Sequence, residues 1–256
     1  PKLLRRTIES FVKYNTYPIK EVIICEDSAK EGIVDFTKDI FPYPVIFCYN
    51  EVRSGQMKTI ERYTPLIKTP FVFHLEDDYE FFDYGFIELS FKIMDTDKNI
   101  ALVLLEESQY DYPKEDINNP LCYKILCYGY KKEILSTFSW RPSLKRIEIQ
   151  RLRMPYQPWD DEYTIQLLMN KLGYYSVIST ERLYKEGTKG FCVNIGVEDH
   201  VEYSGSSYIS LGTASPGLTP STVTQSWNLL ASKGTDGATG TSFVWEGSYS
   251  TSSTYN

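Results

Sequence analysis

The residues best suited to chemistry in this 256-residue sequence form one short run, Leu75-Glu76-Asp77-Asp78. The apolar stretch from Phe71 to Leu75 leads into it, and the three acids follow without a break. A strand that stops on acids gathers carboxylates where it leaves a sheet. Carboxylates at that distance raise one another's pKa unless a cation sits among them. Hard oxygen ligands of this kind suit Mg²⁺ or Mn²⁺, usually shared with a substrate phosphate. A polar turn with an acidic cap would use the same residue types. Two further acidic segments share the pattern. Glu26-Asp27 follows an apolar run, and Asp160-Asp161-Glu162 opens a helical one. Each alone reads more readily as a cap; gathered at one sheet edge they form a site-like constellation.

The elements that must position these acids alternate in type. Leu4, Ile8, Phe11 and Val12 fall on one helical face, which predicts a helix over residues 1–15. Apolar runs at 21–25, 44–49, 71–75 and 100–105 predict buried strands, with helices across 56–68 and 84–95 between them. That alternation implies right-handed crossovers and a mostly parallel sheet with flanking helices. Ligands in such sheets bind beyond the carboxyl ends of the strands. Residues 106–160 are broken by Pro113, Pro120, Pro142, Pro155 and Pro158. A helix then follows, with Ile165, Leu168, Met169 and Leu172 on one face and Gly173 at its end, and a strand is expected over 174–178. The first helix has no strand before it, so an N-terminal strand is expected to be missing.

Bulk composition narrows the class. Hydrophobic residues make up 42% of the chain, enough for a real core. The formal net charge of −7 gives no argument for nucleic-acid binding. Lys145-Arg146, with Arg151 and Arg153 beyond, is the densest basic stretch and is expected on a solvated face or turn. Five cysteines with no CxxC spacing point to a reducing compartment such as the cytoplasm. No apolar run is long enough for a membrane span, and no signal peptide is visible in a chain that begins at Pro1. Oligomeric state leaves no trace in the sequence.

Residues 1–203 resemble a GT-A-fold glycosyltransferase similar to family 2. The resemblance rests on Leu3 to Phe11 with Tyr17 to Ser28, on the Asn50–Gln56 loop, on Leu75-Glu-Asp-Asp78 as a DXD motif, and on Asp161-Glu162 followed by Gly173-Tyr174. Asn194-Ile-Gly196 with Asp199-His-Val201 resembles the closing segment of some members, with Asn194 in place of the first histidine. The resemblance implies a nucleoside diphosphate sugar donor, a carbohydrate or other hydroxyl acceptor, and Mn²⁺ or Mg²⁺. It implies that Asp78, Glu76 and His200 hold the metal. Glu26, Asp27, Gly55, Gln56, Lys58 and Asp77 would line the donor side, with Arg53 a lesser candidate. Glu162, or Asp161 beside it, would act as base in an inverting transfer. His74 is expected to be a core histidine. Trp140 and Trp159 are expected either to stack on a sugar or to pack in the core.

From Ser204 to Asn256 the composition turns to Gly, Ser and Thr, and a domain boundary is expected near 203/204. Val201–Leu211, Trp227, Trp245–Tyr249 and Tyr255 weakly resemble repeats of chitin-binding-type modules and phage tail proteins. A small β-rich or disordered segment is expected there. This supplies a rival expectation: a virus-encoded or virion-associated sugar-binding or structural protein carrying a degenerate transferase domain.

Overall fold

The computed structural model describes residues 2–107, 113–129, 133–157, 160–180, 183–185, 188–195, 200–203, 206–210 and 227–231. The chain divides into two compact units, Pro1–Asn194 and Ile195–Asn256.

In the first unit, α1 (Lys2–Tyr14) leads to β1 (Val22–Glu26), β2 (Val45–Tyr49), α2 (Gln56–Tyr63), β3 (Phe71–His74), β4 (Tyr79–Phe81), α3 (Phe86–Met94) and β5 (Ile100–Leu104). Short strands β6 (Glu106–Glu107) and β7 (Lys114–Glu115) precede β8 (Cys122–Tyr128), β9 (Ile134–Ser136) and β10 (Ser143–Arg146). The single turn α4 (Ile147–Gln150), the helix α5 (Glu162–Lys171), and β11 (Tyr175–Ser179), β12 (Leu183–Lys185), β13 (Thr188–Gly190) and β14 (Cys192–Asn194) complete it. This is the expected α/β class, with a central sheet and flanking helices. Helix α2 stops short of residue 68 because Pro65 cannot continue it, and a 3₁₀ turn, Thr64–Leu66, takes over.

The central sheet has seven strands, ordered β3-β10-β5-β11-β8-β7 with β9 on β8. It is mixed. Strand β11 runs parallel to β5, while β10 lies antiparallel between β3 and β5. Strands β1 and β2 form a separate parallel pair. Both faces of the central sheet are covered, which explains the uninterrupted apolar run of β5. Phe11, Phe81, Phe86, Ile93, Val103 and Leu144 pack on one face. Leu102, Leu104, Phe138, Trp140, Ile165 and Met169 pack on the other.

Edge strand β4 is tied down by two helix hydroxyls. Thr7 Oγ1 accepts from Tyr79 N at 3.0 Å and donates to the Asp77 carbonyl at 2.9 Å. Ser10 Oγ accepts from Phe81 N at 3.0 Å. Buried backbone groups need partners, and α1 supplies them here. Gly190 has φ +134°, and a Cβ there would fall 2.2 Å from the Leu105 carbonyl oxygen. Only glycine lets β13 come close enough to pair with β6, whose first residue is Glu106.

The second unit contains an antiparallel three-stranded sheet of β15 (His200–Tyr203), β16 (Ser206–Ser210) and β17 (Trp227–Ala231). Strand β15 pairs with β16 across the change in residue types near 204. Trp227 opens β17, while Trp245, Tyr249 and Tyr255 lie outside the described residues. No helix among the described residues is long and apolar enough to cross a membrane.

Candidate active site

The corner at the end of β1 and β2 is closed by its own hydrogen bonds. Asp27 Oδ1 accepts from Asn50 Nδ2 at 2.5 Å and from Ser54 N at 2.8 Å. Its Oδ2 accepts from Gly55 N at 2.7 Å. Burial works against the charge of Asp27, but the Ser54, Asn50, Gly55 and Thr59 hydrogen bonds outweigh it and hold the carboxyl below its ordinary range. Asn50 is itself buried, with Thr59, Arg62 and Tyr63 bonded to its amide. Gly55 needs its φ of +81° to start α2 at this point. Glu26 Oε1 accepts from Ser28 N at 2.6 Å. Lys58 donates to Glu61 Oε2 at 2.8 Å and also to the Tyr156 carbonyl. Arg53 and Gln56 are exposed. Gln56 reaches out of this corner, donating to Glu76 Oε1 at 3.1 Å.

The acidic turn after β3 is organised differently. Phe71, Phe73 and Leu75 pack into the core with α1 and α3. The alternate residues Val72, His74 and Glu76 therefore take the other face, the one shared with Trp140. Asp77 is exposed at the tip, and its carbonyl is held by Thr7. Asp78 Oδ2 accepts from Asn194 Nδ2 at 3.1 Å, and Asn194 N donates to Glu106 Oε1 at 3.4 Å. Arg141 Nη1 stands 3.6 Å from Glu106 Oε2. Burial is the leading cause that raises the carboxyl pKa of Glu76, Asp78 and Glu106 alike. Asp78 adds to the rise at Glu76, Asp77 to that at Asp78, and Asp78 to that at Glu106. Arg141 opposes the rise at Asp78 and Glu106.

Helix α5 brings the third acidic segment to the same corner. Asp161 is its N-cap: Oδ1 accepts from Thr164 N at 3.0 Å and Thr164 Oγ1 at 3.2 Å. Asp160 is buried in the preceding turn, accepting from Gln157 N at 2.6 Å and facing Arg153 Nε at 3.4 Å. Glu162 is exposed, and its Oε1 accepts from Trp140 N at 2.6 Å and Ser139 Oγ at 3.4 Å. Among the described residues nothing hydrogen-bonds its Oε2. Of the two neighbouring acids, Asp161 is occupied by the helix end and Glu162 presents a carboxylate oxygen outward.

One expectation changes here, one open alternative is decided, and one expectation holds. Lys145 is fully buried, not on a solvated face, because β10 threads between β3 and β5. Trp140 is 1% exposed and is core: it packs edge-on to Phe138, and its Nε1 donates to Met57 Sδ at 3.3 Å. A sugar has no face of it to stack on. His74 is the expected core histidine, 5.4 Å from the Trp140 ring, with burial and then Lys145 pushing its imidazole well below the usual range. The Trp159 placement lies outside the described residues. The His200 side chain does too; its backbone is in β15 of the second unit.

Glu106, Arg141 and Lys145 were missed from sequence. Glu106 carried a readable signal, since it ends an apolar run as Glu26 and Glu76 do. Arg141 and Lys145 carried none, because their segment reads as polar loop.

The acidic corner fits a divalent cation. Glu76 and Asp78 are partly buried, mutually repelling carboxylates whose charge a cation would relieve. Among the described residues no three His, Cys, Asp or Glu side chains form a complete metal shell. Two carboxylates that leave the remaining positions to phosphate and water are the usual Mg²⁺ arrangement.

Residues 1–150 match the family model for Glycosyl transferase family 2. The match covers more than half of the chain and spans α1, the β1–β2 pair, the acidic turn and β10, so the chain belongs to that family. No curated protein matches it.

Proposed function

We propose that this family 2 glycosyltransferase is a divalent-metal-dependent, inverting enzyme of the hexosyltransferase type, moving a sugar from a nucleoside diphosphate to an acceptor hydroxyl. The observation that carries this reading is the meeting of the three acidic segments: Gln56, from the loop that Asp27 holds, donates to Glu76 Oε1 at 3.1 Å, and Trp140, whose ring lies 5.4 Å from His74 beside that acidic turn, holds Glu162 Oε1 through its N–H at 2.6 Å.

Asp78 and Glu76 would hold the cation, with Asn194 orienting Asp78 and Gln56 orienting Glu76. Mn²⁺ or Mg²⁺, when bound, supplies positive charge to the diphosphate as it leaves. Asp27 fixes the Asn50–Gln56 loop, and with Glu26, Gly55, Lys58 and Asp77 it would frame the nucleotide. Glu162 Oε2 would accept the proton of the acceptor hydroxyl while Trp140 N and Ser139 fix Oε1, the geometry a general base requires. Attack from the face opposite the departing phosphate inverts the anomeric centre.

The test is calorimetry with Mn²⁺ and a panel of UDP-, GDP-, dTDP- and CMP-sugars. Wild type is expected to bind one of them, and Asp78→Ala to lose that binding with its fold intact by circular dichroism. Equal affinity in both proteins would remove the metal role from Asp78.

A further inference from the structure

Lys145 is buried without a polar partner. It is 0% exposed, and among the described residues its ammonium donates to no hydrogen-bond acceptor and closes no ion pair. Its register neighbours are Val72 on β3 and Leu102 on β5, both apolar. Leu144 beside it joins the core on one face of the sheet, so Lys145 takes the other. There Nζ lies 4.5 Å over the Trp140 ring and 5.4 Å from the centre of Phe138. An ammonium in such a slot is costly. A methionine would fill the slot without that cost. The ionisable groups that face it are Glu162 from α5, Glu76 from the acidic turn and His74 from β3. The same Trp140 that covers the ammonium holds Glu162 through its backbone N–H.

We propose that Lys145 is a positioning residue for the transfer reaction: its ammonium, held behind Trp140, is the shared counter-charge that keeps the Glu76 and Glu162 carboxylates converged on one centre. The inference rests on the proposed function for its catalytic meaning. It adds to that reading an internal cation that touches neither donor nor acceptor. Without it, two carboxylates from different elements repel across the site, and the acceptor base moves away from the reacting carbon. A misplacement of about 1 Å costs on the order of 10²-fold in rate.

The test is Lys145→Met in the full chain. Transfer kcat is expected to fall about tenfold or more, with a smaller change in donor KM, because Gln56 still holds Glu76 and Asn194 still holds Asp78 on the donor side. The melting temperature is expected to rise, since an unpaired buried charge has gone. A lysine of purely structural value would give the opposite: a lower melting temperature and an unchanged kcat, which would overturn the proposal. The pH profile separates the two further. Burial pushes the ammonium down to about 7 against the pull of Glu162 and Glu76, so wild-type kcat should fall as pH rises through that value. That limb should vanish in the methionine variant.

A second measurement does not depend on activity. Glu162→Gln keeps an oxygen for Trp140 N and removes the charge. In a double-mutant cycle on thermal stability, Glu162→Gln should destabilise the wild-type background more than the Lys145→Met background. Additive effects would overturn the counter-charge role. Should no donor be turned over by wild type, the transferase reading fails while this cycle still decides Lys145.

Discussion

The two corners that hold acids differ in how their charges are satisfied. At the end of β1 and β2, each Asp27 oxygen already accepts hydrogen bonds from the chain, and its carboxyl is held below its ordinary range. At the turn after β3, Glu76, Asp78 and Glu106 are pushed the other way, by burial first and with a neighbouring carboxylate adding to each. A carboxylate saturated by its own protein is scaffold. A carboxylate left short of partners in a partly dry place has capacity to spare for a ligand. On the proposed reading Asp27 shapes the loop and the acidic turn carries the chemistry, although both look alike in sequence.

Removing the outward acid should show the largest effect. Glu162→Gln is expected to lower transfer by about 10²–10⁴-fold, the usual worth of a positioned base, while donor binding stays intact. Unchanged turnover would move the base elsewhere. On the scaffold side, Asp27→Ala should cost about 2 kcal/mol in urea unfolding, because three donors lose a charged acceptor. It should also raise the donor KM by loosening the Asn50–Gln56 loop. A variant as stable as wild type would show that the corner is not held by this residue. Asp161→Ala should cost about 1 kcal/mol, as for a lost N-cap, with transfer within a few-fold of wild type. If it instead abolished transfer, the two neighbouring acids would have to exchange roles.

The smallest effect is also the most direct reading of the contrast. Asp27 is depressed, so the stability it contributes is present above the ordinary carboxylate range and lost as pH falls through its folded value. Glu76 is raised, so its ionised form weakens the fold, and stability falls as pH rises from its unfolded to its folded value. Asp27→Asn should therefore flatten the loss of stability on acidification. Glu76→Gln should raise the melting temperature at neutral pH. Identical pH profiles in the two variants would erase the distinction between the corners.

Much of the frame was legible from residue pattern. Continuous apolar runs marked β1, β2, β3 and β5, and β5, buried along its whole length, has no polar position to spare. Periodic faces gave α1, α3 and α5. Strand β10 was not legible. Ser-Leu-Lys-Arg has one apolar residue, yet it lies inside the sheet between β3 and β5, and these flanking strands supply the burial that its own side chains do not announce. Strand β4 was hidden for a related reason: its backbone donors are answered by Thr7 and Ser10 on α1, some seventy residues away.

By itself the sequence determined which segments must be buried and where acids end strands, because burial and period act locally along the chain. The tertiary structure decided which acids are spent and which are exposed to new partners. It put Asp161 on a helix end and turned Glu162 outward. It also carried Lys145 into the core beneath Trp140, behind the acids it faces. Those outcomes depend on hydrogen bonds and charges between residues far apart in the chain, and local pattern contains no record of them.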